Sequence, residues 1–325
     1  MAERLLEVKN LTTDFHTFRG RVRAVDGISF HLDKGEVLGI VGESGSGKSV
    51  ANLSILRLIE QPGVVSSDGV LFKGRDLSGL DARSMLKIRG KEISMIFQDP
   101  MTSLNPLYTI GSQIEEMLLL HTDLDDKGRK ARCAELLAMV GITNPEERLR
   151  SYPHQFSGGM RQRVVIAIAL AADPCLIIAD EPTTALDVTI QAQILRLMER
   201  LVSRAGASMI LITHDLAVVS RMAHRIAVMY CGRIVETGPK RMVIKSPAHP
   251  YTRGLLGSIP RMSADQRRLD PITGMVPSLL DLPSGCAFSP RCPRSQPICE
   301  RGVPPEIKLD GGRSVCCHFP QLENL

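Results

Sequence analysis

Residues Gly42–Ser49 read GESGSGKS, between an apolar segment at Val37–Val41 and a helical pattern that begins at Gly47. A glycine-rich loop in that context is a P-loop, in which backbone N–H groups turn inward to bind phosphate oxygens. Gly42, Gly45 and Gly47 would permit the positive φ angles and the close approach that such a loop needs. A chance glycine turn is the alternative, but the complete pattern between a strand and a helix favours phosphate binding.

The other loop positions predict contacts to a nucleotide. Lys48 would reach the β and γ phosphates, Ser49 would present its hydroxyl to Mg²⁺, and the start of the following helix favours an anion. We therefore expect ATP to bind the whole loop, which consists of Gly42, Glu43, Ser44, Gly45, Ser46, Gly47, Lys48 and Ser49.

A second apolar run, Cys175–Ala179, ends in two acidic residues, Asp180 and Glu181. Asp180 is the expected Mg²⁺ partner, and Glu181 is placed to polarise the attacking water as a general base. Two acids after a strand are often only a solvated strand end. Beside a P-loop, the catalytic interpretation is favoured, because sites in such sheets cluster at the carboxyl ends of strands.

Two further polar residues follow apolar runs, Gln98 in MIFQDP and His214 in LITHD. We expect Gln98 to contact Mg²⁺ and the water, and His214 to sense the γ-phosphate, although a histidine at a strand end can equally be a structural residue.

The composition bounds the class of protein. The chain has 325 residues, 43% of them hydrophobic, and a net charge of +5 with no long basic run, so a nucleic-acid partner is not implied. The longest apolar stretch, 164–172, is far shorter than the roughly 20 residues of a membrane-spanning helix. The start MAERLLEVKN lacks the pattern of a secretory signal, so we expect a cytoplasmic location.

The order of strand and helix patterns predicts an α/β fold. We expect an antiparallel β segment before the P-loop, a helical insertion at about 102–163 and alternating strands and helices beyond it. Dense prolines after about residue 239 mark a boundary, which gives a nucleotide-binding domain at 1–240 and an irregular C-terminal extension at 241–325.

Ser157, Gly158 and Gly159 in FSGGMRQR, together with Gln98, the ADEPTTALD segment and His214, resemble the ABC transporter nucleotide-binding domain. In that family two domains pair head to tail, which implies that Ser157, Gly158 and Gly159 complete the ATP site of a second subunit. FSGGM differs from the commoner LSGGQ at its first and fifth positions. The family also stacks adenine on an aromatic residue upstream of the P-loop. We prefer Phe18 over Phe15 for that role, although either could be a core residue.

Cysteines are concentrated at the end of the chain. Cys286, Cys292, Cys299 and Cys317 could converge on a metal, and from the residues alone zinc, a [4Fe–4S] cluster and inert thiols all stay open.

HPYTRGLL at 249–256 and the GCAFSPRCP segment resemble the C-terminal extension of dipeptide and oligopeptide importer ATPases. The resemblance favours a [4Fe–4S] cluster, with Cys317 before His318 as its last ligand, and leaves zinc as the alternative. It also implies a peripheral ATPase on the cytoplasmic face of the cell membrane. The expected partners are a second, different ATPase subunit, two permeases and an extracellular or periplasmic peptide-binding protein. A related importer of nickel chelates or glutathione, or a soluble ABC ATPase, is the alternative.

Overall fold

The computed structural model describes residues 3–184, 186–258 and 272–322. Its strands are β1 (Arg4–Thr17), β2 (Gly20–Asp33), β3 (Val37–Val41), β4 (Gly63–Ser66), β5 (Gly69–Phe72), β6 (Arg75–Asp76), β7 (Ile93–Ile96), β8 (Leu176–Asp180), β9 (Ser208–Thr213), β10 (Arg225–Tyr230), β11 (Arg233–Pro239), β12 (Glu306–Leu309) and β13 (Arg313–Cys316).

The helices are α1 (Lys48–Ile55), α2 (Ala82–Ile88), α3 (Pro100–Ser103), α4 (Ile110–His121), α5 (Asp126–Met139), α6 (Pro145–Arg148), α7 (Gly158–Leu170), α8 (Val188–Ala205), α9 (Leu216–Met222), α10 (Lys240–Lys245), α11 (Pro250–Gly257) and α12 (Pro297–Arg301), with 3₁₀ turns at Pro153–Gln155 and Ser289–Arg291. None of the helices that the described residues form is both long and apolar enough to cross a membrane.

The chain divides into two compact units, and the division falls within β9. The first unit comprises the described residues of Met1–Asp33, Val37–Gly79 and Ile212–Leu325, and the second comprises Lys34–Glu36 and Leu80–Leu211.

The first unit contains two sheet regions. In one, β1 pairs antiparallel with β2, β4 and β5, and β5 pairs with β6. In the other, β3 runs parallel to β10, and β11, β13 and β12 follow by antiparallel pairing. All five residues of β3 are buried, as expected for a strand in a parallel pair that is covered on both faces. This burial holds in place the strand that ends directly before the P-loop.

The second unit combines a parallel strand pair with helices. Ile96 of β7 is opposite Ala179 of β8, so both strands end at the same edge. Helix α8 buries Ile194, Met198 and Val202, a spacing of four residues that places them on one helical face. Helix α7 is preceded by its N-cap residue Ser157, whose side chain accepts the backbone N–H of Met160.

The predicted α/β fold is confirmed, with two additions in detail. The first hairpin buries two polar residues of β1, Thr13 and Asp14. The proline-rich extension is also more ordered than its composition suggests, since β12 and β13 form a hairpin that adds to β11. The boundary near residue 240 and the insertion at 102–163 stay predictions.

Candidate functional site

The P-loop has the backbone conformation that its glycines allow. Gly45 and Gly47 have φ angles of 78° and 96°, values that side-chain-bearing residues rarely adopt. Gly42 is required by close approach, because a Cβ at this position would lie 2.2 Å from the carbonyl oxygen of Met229. The backbone path of the loop is therefore set by local sequence and by the neighbouring strand.

Lys48 lies across its own loop. Its Nζ donates to the carbonyl oxygens of Gly42 at 2.8 Å and Glu43 at 2.9 Å, and to Ser46 Oγ at 3.2 Å. The residue is only 5% exposed. Ser49 follows at the second position of α1 and is half-buried, while Ser44 is exposed at the crest of the loop. The ammonium group is thus held where the loop carbonyls converge.

Contacts to Glu43 come from residues to which the sequence interpretation gave no role. Tyr251 Oη accepts the backbone N–H of Glu43, and the guanidinium of Arg291 binds its carboxylate. Tyr251 lies inside the HPYTRGLL motif. The sequence therefore contained a motif at this position, but nothing in its spacing indicated a contact with the P-loop.

In the second unit, Gln98 and Glu181 are brought together. Gln98 follows β7 and Glu181 follows β8, and the parallel pairing of these strands places both residues at one edge. Gln98 Nε2 donates to Glu181 Oε2 at 3.0 Å, and Thr184 Oγ1 donates to the same oxygen at 2.9 Å. Glu181 also has a φ of 45°, an uncommon conformation that often marks functional sites. Thr184 had not been singled out from the sequence.

The other predicted residues lie at the ends of strands. Asp180 is the last residue of β8 and is 5% exposed. His214 follows β9 in the first unit and is exposed, directly before Asp215, whose side chain caps α9. Ser49, Gln98 and Asp180 offer oxygen donors, the chemistry that Mg²⁺ prefers.

The predicted signature residues begin α7. Ser157 and Gly158 are exposed, and Gly159 is half-buried. A Cβ at position 158 would meet Leu186 at 3.6 Å, an ordinary contact, whereas one at 159 would meet Ile190 at 2.8 Å. The exposed face at Ser157 and Gly158 is accessible to another subunit.

The two phenylalanines of the first hairpin differ in environment. Phe18 lies in the turn between β1 and β2 and is 94% exposed, with the Arg19 guanidinium 5.3 Å from its ring centre. Phe15 is half-buried in β1, opposite Gly63 of β4. Phe18 therefore has the accessible ring.

The predicted [4Fe–4S] cluster is not supported, and neither is its zinc alternative. Cys286, Cys292, Cys299 and Cys317 do line one cavity, beside His318. Among the described residues, however, no group of three or more His, Cys, Asp or Glu side chains is arranged to hold a metal ion. Burial also raises the pKa of Cys286 and Cys292 and raises that of Cys317 to about 11, which disfavours the thiolates that metal ligation requires.

Comparison with known protein families gives two adjacent matches. The family described as ABC transporter matches residues 25–184, and the oligopeptide/dipeptide transporter C-terminal region matches residues 235–299.

Individual relatives match over almost the whole chain. The dipeptide transport ATP-binding protein DppD of Haemophilus influenzae is 51% identical over 98% of this chain and 96% of its own. The oligopeptide transport ATP-binding protein OppD of Bacillus subtilis is 54% identical over 94% of this chain and 86% of its own. Among solved structures, the ATP-binding cassette MJ0796, a dimer bound to ADP and Pi, superposes with a TM-score of 0.65 at 29% identity, covering 73% of this chain and 99% of that chain.

Proposed function

The chain belongs to the ABC transporter family, as an ATP-hydrolysing subunit of the dipeptide and oligopeptide importer type, and we propose that it shares two ATP sites with a second ATPase subunit. The observation that carries the transport assignment is the match of residues 235–299 to the oligopeptide/dipeptide transporter C-terminal region, which follows the ABC transporter match at 25–184. The chain is 51% and 54% identical in sequence to relatives named for dipeptide and oligopeptide transport, which supports peptides as the cargo.

Within this proposal the P-loop, Gly42–Ser49, binds the phosphates of ATP. Lys48 would neutralise the β and γ phosphates, and Ser49, Gln98 and Asp180 would hold Mg²⁺. The bound ion would neutralise charge on the transferred phosphoryl group. Glu181 accepts the proton of the attacking water, and the amide of Gln98 and the hydroxyl of Thr184 orient its carboxylate. His214 contacts the γ-phosphate.

The signature residues act on the other subunit. The exposed start of α7, with Ser157 and Gly158, presents backbone N–H groups that favour an anion. The dimeric state of MJ0796 supports pairing of such cassettes. We assign the second subunit to a different ATPase of the same type, docked beside this chain on the cytoplasmic face of two permeases that receive peptide from a binding protein.

Reconstitution tests this function. The chain, its partner ATPase and the permeases are placed in proteoliposomes, and ATP hydrolysis and uptake of a labelled dipeptide are measured with the binding protein present. We expect the dipeptide to raise hydrolysis, and Lys48→Ala in this chain to abolish uptake. Stimulation by nickel chelates or glutathione and not by peptides would overturn the cargo assignment. Full activity of this chain alone as a monomer would overturn the shared sites.

A further inference from the structure

Glu43, the second residue of the P-loop, forms hydrogen bonds with two residues of the C-terminal region. Its backbone N–H donates to Tyr251 Oη at 2.8 Å, from 208 residues away. Its carboxylate accepts from Arg291 Nη1 at 2.7 Å and Nη2 at 3.0 Å, from 248 residues away. Two parallel N–H···O bonds from one guanidinium are the strongest side-chain pairing available to a carboxylate. All three residues lie within the first compact unit.

Arg291 is itself rigidly placed. Its side chain is 4% exposed, and the edge of the guanidinium away from Glu43 is also used. Nε donates to the carbonyl oxygen of Thr273 at 3.1 Å, and Nη1 donates to Tyr230 Oη at 3.3 Å. The rings of Tyr230 and Phe288 lie 5.9 and 6.0 Å from the guanidinium carbon. A planar fork with partners on both edges cannot be replaced by the single ammonium of lysine.

One atom of Glu43, its carbonyl oxygen, connects the contacts made by Tyr251 and Arg291 to Lys48. The carbonyl oxygen of Glu43 accepts both the Lys48 ammonium at 2.9 Å and the backbone N–H of Ser46 at 3.2 Å. If Glu43 moves, the anchor of Lys48 and the turn of the loop move with it. The backbone and side-chain groups of Glu43 thus connect the C-terminal region to the phosphate-binding lysine.

The ion pair of Glu43 and Arg291 also affects the charge near the phosphate site. Glu43 puts a carboxylate into a loop that is proposed to bind the negative phosphates of ATP, and its side chain is only 29% exposed. Arg291 neutralises that carboxylate. Without the arginine, a partly buried and uncompensated negative charge would remain next to the anion site, a costly arrangement that also repels the ligand.

We infer that Tyr251 and Arg291 are positioning residues of the ATP site, through which the C-terminal region holds the P-loop in its phosphate-binding form. The inference rests on the proposed binding of ATP by this loop. It gives the C-terminal region a direct part in nucleotide binding, which is separate from any role of its cysteines.

The test measures the affinity of the assembled transporter for MANT-ATP and the KM of its ATPase for ATP. In the complex carrying Lys48→Ala, only the P-loop of the other subunit is intact. Its ATP binding and hydrolysis are therefore the background that is subtracted. We expect Arg291→Ala and Arg291→Lys each to raise KM and the dissociation constant by about ten-fold, with a smaller change in kcat. Tyr251→Phe, which keeps the buried ring, should raise both constants by about three-fold. Arg301→Ala, in an exposed position of the same region, is the control and should leave both unchanged.

Adding Glu43→Gln to Arg291→Ala separates positioning from general stability. Removal of the uncompensated charge should restore part of the affinity, because the two hydrogen bonds that position the loop stay absent, whereas a purely structural role of Arg291 would show as a lower Tm that the second change does not repair. Affinity and KM that stay at the wild-type values in Arg291→Ala and Tyr251→Phe would overturn the inference. If Lys48→Ala itself has no effect on binding or hydrolysis, the proposed function fails instead.

Discussion

The side-chain amide of Gln98 and the hydroxyl of Thr184 donate to one and the same carboxylate oxygen of Glu181, at 3.0 and 2.9 Å. Two neutral donors on one oxygen fix the orientation of the carboxylate. This arrangement stabilises the ionised form that a general base must have.

Glu181→Gln should therefore abolish hydrolysis at the site that contains Glu181 while ATP still binds. We expect the rate at that site to fall by about 100-fold or more, the usual contribution of a positioned base, because glutamine keeps the shape but cannot accept the proton. The complex should then keep only the rate of the site on the other subunit. MANT-ATP affinity, measured in parallel, should be unchanged. The control is Glu199→Gln on the exposed side of α8. A Glu181→Gln complex that hydrolyses ATP at the wild-type rate would move the role of base to another residue.

Phe18→Ala should weaken ATP binding without affecting folding. The ring is 94% exposed, so its removal costs no core packing, whereas loss of adenine stacking is worth about 0.5–1.5 kcal/mol, or about a three- to ten-fold rise in the KM for ATP. Phe18→Tyr retains the ring and should behave as wild type. If Phe18→Ala has a normal KM and Phe15→Leu raises it, adenine stacks on Phe15 instead.

The hairpin that carries Phe18 is held by Asp14, which predicts a pH dependence. The hydrogen bond from Arg21, with that from Arg23, lowers the pKa of Asp14 despite the opposing effect of burial. A carboxyl whose pKa is lower in the folded than in the unfolded protein stabilises the fold at neutral pH. That contribution disappears as the pH falls through the folded pKa.

We expect Asp14→Asn to lower the free energy of unfolding by about 1–2 kcal/mol at pH 7, a value reduced by the exposure of both arginines. The difference from wild type should shrink below about pH 4, near the ordinary pKa of aspartate. Urea unfolding at a series of pH values measures it, with Asp68→Asn at an exposed position as the control. A difference that stays constant from pH 7 to pH 3.5 would contradict the ionic origin.

Much of the fold and of the candidate site could be predicted because it depends on local sequence. The run at Val37–Val41 is a strand with those bounds, since a short apolar run needs no distant information. The contact of Gln98 with Glu181 follows from strand ends that meet at one edge.

The features that sequence reasoning missed depend on distant partners. Burial of Thr13 is possible because Ser54, 41 residues away, shares a hydrogen bond with it. Arg291 and Glu43 meet across 248 residues. The cysteines at the end of the chain show the opposite error, because a resemblance to a family predicted a cluster, whereas the described residues contain no group of three or more side chains arranged to hold a metal ion.

Gly158→Asp tests whether the signature residues serve another subunit. A Cβ at this position meets only an ordinary contact with Leu186, and an acidic residue in the first turn of α7 favours the helix dipole. The change should therefore leave the Tm of the chain unchanged or slightly raised. At a shared site, however, the added carboxylate would face the γ-phosphate bound by the partner subunit and repel it.

We expect the complex to lose about half of its ATPase rate or more, because one of the two shared sites is blocked. Gly158→Asn adds a side chain of the same size without the charge, so a much smaller loss in this variant assigns the effect to electrostatic repulsion. Steady-state hydrolysis by the reconstituted complex measures both. Equal rates for wild type and Gly158→Asp would mean that the start of α7 does not contact the partner's ATP, since a negative charge next to bound phosphate cannot be neutral in its effect.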